Sequence, residues 1–230
     1  MPNPALSITE SANVKLDENS VQNPRVPQGR KAVISSEELI DAALKLVGPQ
    51  RSISTLSLRE VSREAGIAPN SFYRHFRDID ELAVSLIELA GASLRKVLSE
   101  ARQRASNERS VVQTSIEVFM EQLSIGEGFL PILLREGKVG SAAFKQAVEH
   151  QLCFFEDELQ QDLVRLELAK DQPLHQPALV ARAMTRLVFA MASVAIDLPA
   201  TEQQQMMAET TIMLRMILEG ARAMAIQELV

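Results

Sequence analysis

The chain has 230 residues, 46% of them apolar, and a formal net charge of −6. That length supports a substantial core, and the ordinary apolar share excludes a disordered or fibrous chain. A lone cysteine, Cys153, excludes an internal disulfide and fits a reducing compartment; beside Phe154 and Phe155 it reads as a buried, inert thiol.

No run of eighteen or so apolar residues is evident, so no membrane span is predicted. The first residues lack a basic segment followed by an apolar one, so no secretory signal is predicted either, and the cytoplasm is the expected compartment. The charge is unevenly distributed. From Arg25 to Arg77, nine basic residues stand against five acidic ones, a local charge of +4, which leaves −10 for the remainder. An acidic body with a basic face orients an approach to a polyanion.

Residues 1–29 hold Pro2, Pro4, Pro24 and Pro27 and little apolar periodicity. They read as a mobile tail, whose end from Arg25 to Lys31 is basic enough to lie along DNA. Ser35 or Ser36 then caps a helix to about Val47, with Leu39, Ala43, Leu46 and Val47 as its buried stripe. Gly48-Pro49 stops it.

Residues 57–82, SLREVSREAGIAPNSFYRHFRDIDEL, carry the most information. Ser57 and Glu60 form a capping box. Leu58, Val61 and Ala65 make one apolar stripe, and Gly66 ends the helix, as a residue free to take positive φ should. Ile67 plugs the turn. Pro69 sits at a first helical position, where its missing N–H had no partner. Phe72 and Phe76 face back onto the preceding helix, leaving Asn70, Ser71, Tyr73, Arg74 and His75 outward, with Arg77 at the end. This is the outline of a helix-turn-helix whose second helix lies in the DNA major groove. Asn and Arg can read base edges, and hydroxyl, imidazole and guanidinium groups can bind phosphate. With Arg30, Lys31 and Ser57 these residues form the candidate DNA-binding set.

Asp78 caps a long helix, with Glu81 completing a second capping box. Its stripe of Leu82, Leu86, Leu89 and Val97 runs to about Ala105. Helices are predicted at 108–124, 127–137, 141–168, 176–196 and 201–229. Breaks fall at Gly126 and Gly128, at Gly137 through Gly140, at Pro173 and Pro177, and at Pro199. No stretch alternates with period two for long enough to argue a strand. The fold class is therefore all-α: an N-terminal helix-turn-helix domain over residues 30–82 and a helical effector-binding and dimerisation domain over 83–230.

The last two helices are apolar over more than one face, with Leu179, Ala183, Leu187, Ala190, Met191 and Val194 in one and Met206, Met207, Met213, Met216 and Met224 in the other. Such helices are buried on several sides. A homodimer interface is predicted there, marked by Leu187, Met191, Met213 and Ile217, since a helix-turn-helix reading a palindrome wants a two-fold partner.

The motif Ala65-Gly66-Ile67, Ser71-Phe72-Tyr73, His75-Phe76 resembles the TetR family of one-component bacterial regulators, whose pattern there is like A-G-[VI]-x-x-x-[ST]-[LF]-Y-x-[HY]-F. The resemblance covers about residues 36–82. Within the family, residues 57–82 and, more weakly, LLREGKVGSAAFKQAV (residues 133–148) are similar to repressors of unsaturated-fatty-acid synthesis and acyl desaturation. It implies an all-helical, Ω-shaped homodimer with a ligand cavity in each body and an acyl-CoA or acyl carrier protein thioester as effector. By matching position, Tyr73 and His75 would grip phosphates, and Asn70, Ser71 and Arg74 would lie toward bases or backbone. Two departures stand out. Ile79 occupies a place where many members carry Lys, so that phosphate contact is expected to be lost or moved to Arg77. Glu37 and Glu38 stand where many members are basic, so the arm at Arg30-Lys31 would have to compensate.

For the effector, an apolar cavity with a few polar anchors is expected. Candidates are Phe119, Leu123, Phe129, Leu133, Phe144, Phe154, Phe155 and Phe189, with Arg135, Lys138 and Lys145 available to a thioester carrier's phosphates. An alternative is a regulator of a different hydrophobic small molecule, in efflux or catabolism. An enzyme is not expected: His75, His150 and His175 are scattered, no cluster has metal-ligand spacing, and Gly137-Lys138-Val139-Gly140 lacks a phosphate loop's form. No cofactor is expected. A helical adaptor that does not bind DNA is contradicted by the phosphate-binding groups at residues 73–77.

Overall fold

A computed structural model describes residues 34–47, 51–104, 111–125, 129–170 and 173–228. The predicted tail, Arg30, Lys31 and the breaks at Gly48-Pro49, Gly126 and Gly128 lie outside the described residues. Among those described there are nine α-helices, a single 3-10 turn and no strand. The first three helices, here the head, are α1 (Ser36–Val47), α2 (Leu58–Glu64) and α3 (Pro69–Phe72), with the 3-10 turn Ile53–Thr55 between α1 and α2. The body comprises α4 (Ile79–Arg104), α5 (Val111–Ile125), α6 (Phe129–Val139), α7 (Ala142–Lys170), α8 (Pro177–Ala195) and α9 (Ala200–Glu228).

Each start reflects a local hydrogen bond. Of the two candidate caps of α1, Ser35 is the one used: its Oγ accepts the Glu38 N–H at 3.2 Å, and Glu38 Oε2 accepts the Ser35 N–H at 2.8 Å. The acid at position 38 is thereby a capping partner. Ser57 and Glu60 form the predicted reciprocal box at α2. At α4 the box is only half formed. Asp78 Oδ1 accepts the Glu81 N–H at 2.8 Å, but Glu81 reaches one residue further, accepting the Arg77 N–H at 2.6 Å. Gly66 has φ +67°, the left-handed conformation its place after α2 requires.

Helix α4 is the spine of the molecule, packing on α1, α5, α6 and α7, while α7 continues onto α8 and α8 onto α9. Its buried line is Leu82, Leu86, Ala90, Leu94 and Leu98, with Ala83 and Ile87 beside it. Leu89 and Val97, expected in that stripe, are exposed. The 3.6-residue period carries them to the flank once Ala90 and Leu94 hold the centre. Where α4 crosses α7, Gly91 makes room for the Gln151 side chain, whose Oε1 and Cγ would clash with a Cβ there. The same Gln151 is buried and accepts a hydrogen bond from Arg95. Arg102 is buried too, and its guanidinium binds Glu158 and Asp162 of α7. Removing one partner of such a buried pair costs about 3–5 kcal/mol, so these contacts fix the α4–α7 crossing.

Cys153 is exposed rather than buried. The buried line of α7 runs Phe144, Val148, Gln151, Phe155 and Leu163, and residues 153 and 154 fall off it. Phe154 is correspondingly half in solvent, against the His150 ring and under the Arg95 guanidinium. Helix α8 is long and apolar enough, by length and composition, to cross a membrane, although Arg182 and Arg186 interrupt its apolar run. It packs between α7 and α9 and carries Arg186, which is engaged by Glu149 and Glu156 of α7. Both features are those of a helix inside a protein.

Candidate DNA interface and body cavities

The head's outward surface is built by three devices. The capping box starts α2, Gly66 reverses the chain, and Phe72 and Phe76 pin α3 to the core with ring centroids 5.8 Å apart. Regular α-helix in the second arm is shorter than expected and covers only Pro69–Phe72. Tighter bonds then take over, from Arg74 N–H to Ser71 O at 3.3 Å and from His75 N–H to Phe72 O at 3.0 Å, and Phe76 N–H still reaches Phe72 O at 3.2 Å. The arm therefore stays wound to Phe76.

Asn70, Tyr73, Arg74 and Arg77 are exposed, and Ser71 is half-buried. Tyr73 is 60% exposed; its ring rests edge-on against buried Phe72, with centroids 6.0 Å apart, which leaves most of the side chain in solvent. Arg77 Nε touches Glu81 at 3.3 Å, yet its side chain remains 84% exposed. Ser57 is exposed at the start of α2, its Oγ held between the Glu60 N–H at 3.3 Å and Glu60 Oε2 at 2.8 Å. His75 is placed differently from the others. It is half-buried, and its Nε2 is buried without a hydrogen-bond partner among the described residues, so that nitrogen does not face a phosphate. Ile79 is half-buried against the core and carries no charge to the surface.

Arg51 braces this surface. It donates to both Glu60 carboxylate oxygens, at 3.2 and 3.1 Å, and to the Thr55 carbonyl at 2.9 Å. The Ser57 hydroxyl, then Arg51, hold the Glu60 carboxyl down at about 2, below its ordinary 4.5. A depressed folded value stabilises fully above the ordinary value and is lost as pH falls toward the folded one. Thermal melts of Glu60→Gln and the parent should therefore separate at neutral pH and converge as pH drops from 4.5 toward 2. A gap that persists unchanged at the acid end would show that the charge of Glu60 does not support the fold.

One contact joins head to body in a way the sequence did not reveal. Glu136 on α6 is 1% exposed, and its Oε1 accepts the Ile53 N–H at 2.9 Å. Its Oε2 is buried with no partner among the described residues. A carboxylate removed from water with a single hydrogen bond is costly, and such groups concentrate where function needs them. The signal available in the sequence was an acid on the same helix as the apolar run Leu130 to Leu134, between Arg135 and Gly137.

Besides an open groove of about 680 Å³, lined by Gln160, Gln161, Val164, Arg165 and Leu168 of α7 alone, two cavities in the body draw on the expected effector residues. The inner one, about 60 Å³, is lined by α4, α5, α7, α8 and α9 through Leu98, Arg102, Val112, Ser115, Ile116, Phe119, Phe155, Leu159, Met184, Thr185, Val188, Phe189 and Leu214. The outer one, about 310 Å³, lies between α6, α7 and α8 and is lined by Leu133, Leu134, Gly137, Lys138, Val148, Leu152, Arg186, Phe189, Ala190 and Ser193. Of the expected effector residues, Phe119, Phe155 and Phe189 meet in the inner cavity, with Phe189 ring centroids 5.4 Å from Phe119 and 5.3 Å from Phe155. Leu133 and Lys138 line the outer one. Leu123 and Phe144 are buried elsewhere, and Phe129, Arg135 and Lys145 line neither cavity. Glu149 and Glu156 hold the Arg186 guanidinium charged beyond its ordinary range, and Arg186 in turn lowers the Glu149 carboxyl.

A third surface is apolar and open. Leu179 and Val194 on α8, and Ile212, Met216 and Met224 on α9, are exposed, flanked by half-buried Leu187, Met191, Met213 and Ile217. The two helices pack against each other. No groups of three or more metal-ligating side chains occur among the described residues.

Comparison with known proteins places these observations. Residues 39–86 match the model of a family described as bacterial regulatory proteins, tetR family. The fold is similar to that of a TetR-family transcriptional regulator from Pectobacterium atrosepticum, at 15% identity and TM-score 0.63 over 81% of this chain and 93% of that one. It is also similar to E. coli NemR in its reduced form, at 19% identity and TM-score 0.61 over 80% and 97%. The fatty acid degradation regulator FadR from Bacillus halodurans aligns at 11% identity and TM-score 0.60 over 77% and 98%. At these identities the likeness is one of fold.

Proposed function

We propose that this chain, whose residues 39–86 match the tetR-family model, is a tetR-type repressor that binds palindromic operator DNA as a homodimer in the cytoplasm and changes its grip when a hydrophobic effector enters the body. The observation that carries the reading is the helix-turn-helix surface itself: Asn70, Tyr73, Arg74 and Arg77 project from an arm pinned by Phe72 and Phe76. The division of labour follows the chain, with residues 30–82 for DNA and 83–230 for effector and partner. Arg30 and Lys31 would add phosphate contacts from the arm before α1. Tyr73 and Arg77 bind phosphate, joined by Ser57 and Ser71 at the arms' starts. Asn70 and Arg74 face base edges. His75 serves the fold of the arm as much as the DNA, given its buried Nε2.

For the effector, the proposal is a long-chain acyl thioester, with fatty acid metabolism as the regulated process. Support comes from the apolar lining of both cavities, from the likeness of residues 133–148 to acyl-responsive repressors, and from the shared fold of a fatty acid degradation regulator. Transmission runs through α6. This helix forms a wall of the outer cavity through Leu133, Leu134 and Lys138, and it bears Glu136, whose hydrogen bond holds Ile53 in the turn that Arg51 ties to α2. A ligand that moves α6 moves the support of the helix-turn-helix. It alters DNA affinity only as far as it binds the two arrangements unequally.

Substitutions in the arm test the reading. Tyr73→Phe should weaken binding to specific and random duplexes alike, because phosphate contacts position without specifying. Asn70→Ala or Arg74→Ala should alter sequence preference by roughly 1–3 kcal/mol at one base pair. Binding curves for an operator and a scrambled duplex separate these outcomes. Unchanged affinity for both duplexes in all three variants would remove this surface from DNA contact.

A further inference from the structure

We propose that Phe189 is the gate of a two-chamber site, admitting a slender apolar chain to the inner cavity while the chain's polar end stays at the outer mouth beside Lys138. The inference rests on the reading of the body as an acyl-thioester sensor and adds the residue that sets chain length. Phe189 is the residue that lines both cavities. On one side it closes the inner chamber, where its ring lies against Phe119 and Phe155. On the other it forms part of the outer wall with Leu133 and Val148.

The volumes call for a joined site. Small-molecule pockets measure ~300–1,000 Å³. The inner chamber, at about 60 Å³, is far below that range, and the outer one, at about 310 Å³, only reaches its floor. A long chain needs both, and Phe189, the residue common to the two linings, is the side chain proposed to stand between them. Swinging it aside opens a passage about as wide as a ring, which suits an unbranched chain and excludes fused rings.

The chemistry of the walls sets the ligand's polarity along its length. Inside, the cation Arg102 is engaged by Glu158 and Asp162, and the remaining polar groups are the hydroxyls of Ser115 and Thr185. An anionic end group buried there would lack a counter-charge. At the mouth, Arg186 is held by Glu149 and Glu156, whereas Lys138 is exposed and makes no ion pair among the described residues. The polar end therefore belongs outside, with Lys138 as its cation.

Calorimetric titration of the full chain with octanoyl-CoA and palmitoyl-CoA tests the gate. Phe189→Ala removes the two ring contacts that a long chain must break, so palmitoyl-CoA should bind about tenfold more tightly. Octanoyl-CoA, held in the outer chamber, loses one wall contact there and gains no access it needs, so it should weaken slightly or stay level while palmitoyl-CoA tightens, and the two ligands should part. Phe189→Trp narrows the passage and should reverse the effect, weakening palmitoyl-CoA while sparing octanoyl-CoA. If Phe189→Ala unfolds, as judged by circular dichroism, Phe189→Leu supplies the smaller side chain with packing retained, and the same selectivity is expected. Equal changes for the two ligands in every folded variant would overturn the gate while leaving ligand binding by the body intact. Failure of both ligands to bind the parent chain would overturn the acyl-sensor reading and the gate with it.

Discussion

A chain carrying Met213→Asp and Met216→Asp runs as a monomer in sizing and loses about a thousandfold in affinity for a palindromic operator. The expectation follows from the exposed face of α8 and α9. Met216 is 67% exposed, so a carboxylate there leaves the chain's own core undisturbed. In a dimer whose two copies bury this face, the same carboxylates would be desolvated beside apolar groups, with no partner to offset the cost. Loss of the second recognition arm then converts bivalent binding to monovalent binding. Leu187→Asp on α8 should act in the same direction, although its half-buried side chain also touches the core. An unchanged dimer in both variants would place the interface elsewhere.

Glu136→Leu is expected to disconnect the body from the head. The Ile53 N–H loses its acceptor, which destabilises the chain by about 1–3 kcal/mol. The larger effect is on response. Under the proposed function, saturating acyl thioester should shift the parent's DNA affinity by a coupling typical of allosteric proteins, about 5–150-fold, and the variant's by less than about twofold. Glu136→Gln keeps an acceptor oxygen for Ile53 and should retain most of the coupling, which separates loss of the hydrogen bond from loss of charge. DNA titrations with and without palmitoyl-CoA measure this directly. Full response in the leucine variant would route the coupling through the α1–α4 packing.

Local features of the fold were legible because their causes are local. The box at Ser57 and Glu60, the positive φ of Gly66, Pro69 at a helix start and the Phe72–Phe76 pair all arise within a few residues. The breaks at Pro177 and Pro199 fall where they do because proline lacks the N–H that would continue a helix, and the body helices have nearly the expected ends. What escaped depends on which helix lies against which. Cys153 lies one turn from Phe155's neighbours yet on the solvent side, because periodicity alone does not fix the phase of a helix as evenly mixed as α7. The Ile53–Glu136 bond joins residues 83 apart, and the inner cavity draws Leu98, Met184 and Leu214 from three separate helices. Phenylalanines were visible as candidates, but only the packing separates Phe119, Phe155 and Phe189, which meet, from Phe144, which fills the core elsewhere.

The central claim, that the arm around Tyr73 reads a palindrome for a homodimer, is tested most directly by selecting bound duplexes from a randomised DNA pool. The selected sequences are then retitrated at rising salt. The account predicts enrichment of inverted repeats whose half-sites are centred about 34–36 Å apart or a multiple of it. It also predicts an affinity that falls steeply with salt as phosphate contacts release counterions, and loss of the repeat in the Met213→Asp, Met216→Asp monomer. A pool that shows no enriched sequence, with binding that is absent or indifferent to salt, would contradict it.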